Sequence, residues 1–404
     1  MVDTEAVPPR HAHARLAPRV IRSVAAVLCA VLGFVLVYAS TVVAQVDRTL
    51  GSNARDVDDL MGDRPERPAD EDAGEALNIL LMGSDVRTGS NGTIGGGADI
   101  GGMRNDTTML MHVSADRTRI EVVSIPRDAQ VEIPECSYTD GSTVPATYGD
   151  FNIAFANGGA NGDAGEAAAC TIKTVEQMSG VRIDHYAVVD FQGFIDMVDA
   201  LGGVPMCIPE RIVSDKAHLE LDAGPQVLDG ETALAYARLR TAEEGDVSGS
   251  DLQRITRQQQ LLEQVAATVF SKNLLTDTDE LTAFLRAAAE SLTMDPELAD
   301  TTYLVGLAYS VRNLTTDDIT FTTVPWAYTE DLLNVEIQPE AEDLWDDIAN
   351  DRAISVTTTG DASSAWDDGK KKDTDSSSPV PSSSAKSSDS PSDTTTEDLL
   401  QECR

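Results

Sequence analysis

From Ser23 to Val46 the chain reads "SVAAVLCAVLGFVLVYASTVVAQV", without one charged side chain. A helix of that length covers the roughly 30 Å hydrocarbon core of a bilayer. Arg10, Arg15, Arg19 and Arg22 precede the run, and acidic residues dominate after it. Cationic flanks stay on the cytoplasmic side. The expectation is a single-pass cell-membrane protein, with residues 1–22 cytoplasmic, 23–46 spanning the membrane, and the bulk of the chain extracellular. A cleaved leader is the rival reading, but "VVA" before Gln45 is a weak cleavage site and the run exceeds an ordinary signal-peptide apolar core.

An extracellular bulk permits disulfides. The chain has 5 cysteines. Cys29 lies inside the apolar run, leaving Cys136, Cys170, Cys207 and Cys403, which allow three connectivities. A Cys136–Cys170 bridge is expected; the alternative is that all four are small buried thiols. No C-x-x-C pair suggests zinc or dithiol redox chemistry.

The formal net charge is −38 over 404 residues. So acidic a chain lacks the basic footprint that a nucleic-acid backbone or a broad anionic lipid surface would need. Any anion site must be local. Residues 47–76 are charged and Pro-containing with no sustained apolar period, and read as a stalk linker. Residues 353–404 turn to Ser, Asp, Thr, Pro and Lys, a composition that cannot bury a core and reads as a disordered tail. That leaves residues 77–352 as the folded domain.

Within it, apolar runs alternate with amphipathic ones. "ALNILLMG", "TTMLMHV", "IEVVSIP", "HYAVVDF", "VPMCIP" and "DITFTTVPW" read as strands, the second and third joined by the turn "SADRTR". "GEAAACTIKTVEQMSG", "FQGFIDMVDALGG" and "SDLQRITRQQQLLEQVAATVF" read as helices, with Gly180 a cap for the first. Two more helices are expected around Leu281–Leu292 and Pro296–Arg312, and a last one in "PEAEDLWDDIAN". "ETALAYARLR" starts helical and should end extended. The fold class is therefore α/β: a single domain with a central mixed β-sheet and helices on both faces.

The charged residues gather at strand ends, where open α/β sheets build their sites. Asp85 follows one strand in "GSDVR", and Asp106 precedes the next in "MRNDTT". Two carboxylates at a sheet rim suit Mg²⁺, with Mn²⁺ the alternative ion; each taken singly is an ordinary turn or cap residue. Arg127 and Asp128 end "SIPRD". Arg238 and Arg240 in "YARLR" would share a face if extended. Asp251, Arg254 and Gln258 form one helical stripe, with Arg257 about 60° from Arg254. Guanidinium groups grip phosphate bidentately, and arginines converging with Mg²⁺ are the recurring kit for phosphoryl transfer. No Walker A, G-x-S-x-G or H-E-x-x-H motif is present. His112 and His185 sit in strand patterns and read as structural. The glycine-rich stretch between Asp85 and Asp106 reads as a flap.

Taken together, "NILLMGSDVR", "MRNDTTMLMHV", "VVSIPRD", "FNIAFANGG", "GVRIDHYAVVDFQGFIDMVDALGGV", "LDGETALAYARLR" and "DLQRITRQQQ" carry a resemblance. In order and number they resemble the LytR-CpsA-Psr family of cell-envelope glycopolymer ligases, of actinobacterial type. The resemblance implies an apolar channel for a polyprenyl chain. It implies transfer of a glycopolymer from a polyprenyl-diphosphate carrier to peptidoglycan or a surface protein, releasing polyprenyl phosphate. It makes Asp85 and Asp106 the metal carboxylates, and Arg104, Arg127, Arg238, Arg240, Arg254 and Gln258 the pyrophosphate-binding positions. Arg127, Arg238, Arg240, Asp251 and Arg254 would carry catalysis, with Asp251 orienting Arg254 or deprotonating the acceptor. One departure is Asp150, where many relatives have Lys before an "INAAF"-like run. A hydrolase of the same lipid, and a non-enzymatic lipid-carrier scaffold, are the competing readings.

Overall fold

The computed structural model describes residues 40–41, 43–65, 74–85, 103–245, 247, 251–271 and 278–355. The chain divides into two compact units, Met1–Val46 and Asp47–Arg404. In the first, residues 40–41 and 43–46 are helical; most of the expected membrane span lies outside the described residues. Among the described residues no helix is long and apolar enough to cross a membrane.

The second unit is built on one six-stranded sheet. Its strands are β1 (Leu77–Ser84), β2 (Asn105–Val113), β3 (Ile120–Ile125) and β4 (His185–Asp190), followed after a separate hairpin of β5 (Val204–Ile208) and β6 (Gly224–Leu228) by β7 (Leu292–Met294) and β8 (Ile319–Thr323). The spatial order is β7-β4-β1-β2-β3-β8. β1 runs parallel to β4, and β3 parallel to β8, while β2 and β7 run antiparallel to their neighbours. The sheet is mixed, as expected. "VPMCIP" pairs outside it, in the β5–β6 hairpin.

Successive residues of a strand point to opposite faces. Leu80, Leu110 and Val123 stand side by side across three strands and are all 0% exposed. Their face packs under α1 (Asn152–Gly158) and α2 (Ala164–Ser179). The row beside it, Ile79, Met111, Val122 and Phe321, faces the other way. Met111, Val122 and Phe321 cluster there with Leu262 from the long helix Asp251–Ser271 and with Leu307 and Val311.

α2 begins at the Asp163 cap and ends at Gly180 in the left-handed conformation, the cap expected from sequence. α3 (Phe191–Ala200) is capped by Asp190. α4 (Gly230–Arg238) starts where a Cβ on Gly230 would meet the Ile195 carbonyl oxygen at 2.4 Å, so only glycine lets α4 cross α3 this closely. α5 (Asp251–Ser271), α6 (Thr278–Ser291), α7 (Thr301–Ser310) and α8 (Ala341–Ala349) follow. α8 adds Leu344, Trp345 and Ile348 to the sealed face.

Three readings change. Residues 47–65, taken as stalk, pack onto the domain: Val57, Leu60 and Met61 join the core, and Tyr186 Oη donates to the Arg55 carbonyl at 2.7 Å. The helix expected to end at Leu292 stops at Ser291, because Leu292–Met294 pair with β4. Residues 296–299 turn and Asp300 caps α7, so the helix opens later than expected. The Cys136–Cys170 disulfide is formed, tying the Cys136–Ser137 strand to α2. Cys207 is also disulfide-bonded, to a partner outside the described residues.

Candidate functional site

The polar residues read from sequence meet at the carboxyl ends of β1, β3 and β4, which all run the same way. The register explains how. β1 and β2 pair regularly from Leu77↔Val113 to Gly83↔Thr107, then Ser84 pairs with Asn105. Asp106 is the extra residue of a bulge, a device that bends a strand and re-aims a side chain. Continuing the β2–β3 register two residues beyond Thr108↔Ile125 sets Asp106 opposite Arg127. Arg127 Nη1 accordingly donates to Asp106 Oδ1 at 2.6 Å, and Arg127 Nε lies 3.1 Å from Asp128 Oδ1.

Asp85 is buried. Its main-chain N–H donates to the Arg104 carbonyl at 2.9 Å, and its Oδ1 accepts the Arg104 N–H at 3.0 Å. The two bonds clasp the base of the segment between them. The Arg104 side chain is exposed.

The other cations arrive from helices. Arg238 lies over the Phe191 ring, 4.2 Å from its centroid, so the start of α3 seats the end of α4. Arg238 is still helical; the chain becomes extended at Leu239, with φ −58° and ψ 125°. Arg238 and Arg240 therefore do not share one extended face as the spacing suggested. Leu239 is buried between them and Arg240 is exposed.

α5 supplies the rest. Arg254 is 2% exposed, and its Nη2 approaches the Asp106 carbonyl at 3.5 Å. Arg257, also buried, donates through Nη2 to the Leu239 carbonyl. Gln258 Nε2 reaches the Ala237 carbonyl at 3.3 Å. Gln259, which the sequence reading passed over, donates to Ser124 Oγ at 2.8 Å and the Thr322 carbonyl at 2.9 Å. Consecutive residues thus stitch α5 to the end of α4 and to the ends of β3 and β8. The only signal available was the run "RQQQ" itself, since glutamines rarely cluster on a core-facing helix without carbonyls to bond.

Burial holds the Arg257 affinity for its proton below the ordinary arginine range; Tyr236 opposes that fall and the charge of Arg254 adds to it. Burial likewise raises the Tyr236 phenol. Asp251 is the first residue of α5; its side chain, like the glycine-rich segment expected as a flap, lies outside what is described. Asp150 sits beside Gln130, whose amide donates to its carboxylate. Among the described residues no cluster of three or more His, Cys, Asp or Glu could hold a metal. Asp85 and Asp106 offer hard oxygen donors from adjacent strand ends, which fits an ion that fills its shell with water and substrate oxygens.

The histidines are elsewhere. His112 is fully buried between Asn78 Oδ1 at 2.7 Å and Asp351 Oδ1 at 3.1 Å. His185 lies between Asp295 Oδ1 at 3.1 Å and Tyr303 Oη at 2.7 Å. Both tie strands to flanking segments, as structural histidines do.

Fold and site together define an α/β domain whose arginines and carboxylates meet at the carboxyl edge of a mixed sheet. The chain belongs to the LytR_cpsA_psr family, whose model matches residues 40–350. It is 36% identical over 214 residues to a Corynebacterium glutamicum protein named as a probable cell wall biosynthesis protein, LcpB, covering 52% of this chain and 46% of that one. It is 27% identical over 252 residues to the Bacillus subtilis polyisoprenyl-teichoic acid–peptidoglycan teichoic acid transferase TagT, covering 61% of this chain and 68% of that one. The chain thus spans less than half the length of the first of these relatives. A LytR-Csp2A-Psr enzyme from Actinomyces oris shares the fold at a TM-score of 0.51 and 17% identity, over 71% of this chain and 96% of that structure.

Proposed function

We propose that this protein transfers a glycopolymer from a polyprenyl-diphosphate carrier to a hydroxyl of peptidoglycan or of a surface protein, at the extracellular side of the membrane that its N-terminal segment spans. The observation that carries the reading is the bulge at Asp106, which brings Arg127, Arg254 and a carboxylate together at the sheet edge. The names of the relatives support the substrate class.

The acceptor oxygen attacks the sugar-linked phosphorus. A new phosphorus–oxygen bond forms, the bond to the bridging oxygen breaks, and polyprenyl phosphate leaves with that electron pair; the hydroxyl proton passes to solvent or to Asp251. Arg127, Arg238, Arg240 and Arg254 bind the diphosphate and stabilise the charge that builds on its oxygens. Arg104 and Gln258 flank them. Asp85 and Asp106 would hold Mg²⁺, which supplies further charge neutralisation when bound. The sheet face bearing Met111 and Phe321 forms the apolar channel for the prenyl chain. Rate gain comes from positioning and charge stabilisation, with no covalent enzyme intermediate.

The test uses the full-length protein in detergent micelles, with a short-chain prenyl diphosphate and Mg²⁺. Release of prenyl monophosphate is expected to fall by about 10²–10³-fold in Arg127→Ala, the size expected for losing one oxyanion donor. Release unchanged in both Arg127→Ala and Asp106→Ala would sink the reading.

A further inference from the structure

Arg257 belongs to none of the roles assigned above, yet it is a buried cation beside the site. It is 8% exposed and makes a single hydrogen bond, from Nη2 to the Leu239 carbonyl. Its Nε is buried without a partner. Among the described residues no carboxylate lies within salt-bridge distance of it. A charge taken out of water without a counterion destabilises the folded state, unless something arrives to balance it. Its neighbour one turn earlier on α5 is Arg254, another buried cation, so the helix presses two like charges together in a nearly dry place. Other members of the site have acidic company: Arg127 has Asp106 and Asp128.

The bond it makes is also specific in place. Leu239 is the residue at which α4 ends and the chain turns extended, and it separates Arg238 from Arg240. Gln258, the next residue on α5, holds the Ala237 carbonyl two residues earlier. The two side chains therefore clamp the segment that carries both of those arginines. Two carbonyls at a helix end would otherwise need water.

We propose that Arg257 is a positioning residue for diphosphate binding, which fixes Arg238 and Arg240 through the Leu239 carbonyl and whose uncompensated charge is neutralised only when an anionic diphosphate enters beside Arg254. This rests on the transferase reading for the identity of the ligand, but its test does not depend on turnover. Arg257 reports binding through stability. Without ligand its buried charge is a cost; with ligand that cost is removed. A residue that merely fastened α4 to α5 would behave in the opposite way.

The experiment measures thermal unfolding of the full-length protein in detergent micelles, with and without inorganic pyrophosphate, for the wild type, Arg257→Met and Arg257→Lys. The same proteins are assayed for prenyl monophosphate release. In Arg257→Met the unfolding midpoint without pyrophosphate should equal or exceed that of the wild type, while the rise caused by pyrophosphate falls to less than half. kcat/KM should drop by roughly tenfold or more, since binding and orientation are both affected. Arg257→Lys, which keeps the charge but loses the planar guanidinium fork, should recover part or all of the pyrophosphate response. A lowered midpoint with the full pyrophosphate response retained would make Arg257 structural only and overturn the proposal. So would a wild type whose midpoint pyrophosphate leaves unmoved. Should Arg257→Met fail to fold, Arg257→Gln, which removes the charge and keeps a donor, decides: a response equal to wild type overturns the idea, and a reduced one supports it. If the wild type responds to pyrophosphate and Arg257→Met does not, yet no protein releases prenyl phosphate, the transferase reading fails while the assignment of Arg257 stands.

Discussion

Leu110 and Met111 are consecutive residues of one strand, and they live in different worlds. Leu110 points to the face sealed by α1, α2 and α8 and is 0% exposed. Met111 points to the face shared with α5 and α7, where Leu81, Leu262, Leu307, Val311 and Phe321 are likewise only partly buried. A domain of this size could seal both faces of its sheet. The first face is buried along these strands, whereas the second is buried at Ile79, Met109, Val113 and Val122 and only half-covered around Met111 and Phe321. One face holds the fold together; the half-covered part of the other is where the proposed transfer reaction would seat the prenyl chain.

The largest test of that contrast is Leu110→Ala. Truncating a fully buried leucine should destabilise the domain by about 2–5 kcal/mol, read as a shift of the denaturant midpoint with the slope unchanged. Met111→Ala should cost less, under about 1.5 kcal/mol, because Met111 is only partly buried and methionine is the most adaptable core residue. Its main effect should fall on the lipid: weaker binding of a long-chain prenyl phosphate, with the response to inorganic pyrophosphate unaltered. Equal losses of stability from the two substitutions would dissolve the distinction between the faces.

The smallest effect concerns how the sealed face is finished. Asp347 on α8 accepts from Ser355 N at 2.9 Å and Ser355 Oγ at 2.6 Å, and from Arg352 Nε at 3.0 Å. The Ser355 hydroxyl, then its backbone N–H and Arg352, hold this carboxyl below its ordinary range. A depressed folded value means the stabilisation is complete at neutral pH and is lost as pH falls past the ordinary aspartate value of about 3.9 toward the lower folded one. Asp347→Asn should lower stability at pH 7 by less than about 1 kcal/mol and abolish that part of the acid dependence. An unchanged acid limb of the stability profile would show that the strap at residues 352–355 contributes nothing measurable.

How much of this could be read beforehand follows from where information is local. Strands β1 to β4 were visible because apolar runs bounded by turn residues admit few other readings. Three-residue β7 was not, since its pairing with β4 depends on a partner far away in the sequence. Val57, Leu60 and Met61 sit among aspartates with no repeated period, so nothing marked residues 47–65 as part of the core. Residue types at the site were legible, but their arrangement was not. A bulge at Asp106 has no sequence signature of its own, and whether Arg238 is helical or extended turns on where α4 ends, one residue later at Leu239. The stitching by Gln259 needs carbonyls that only the folded sheet supplies.

The paired bonds between Asp85 and Arg104 have a further consequence for how such a domain can be altered. They close the base of the intervening segment, so its length is uncoupled from the geometry on either side. Extending a closed loop costs little, about 0.6 kcal/mol for each doubling. Insertions between Asp85 and Arg104 should be absorbed without disturbing Asp85 or Asp106, which makes that interval the natural place to graft a recognition peptide.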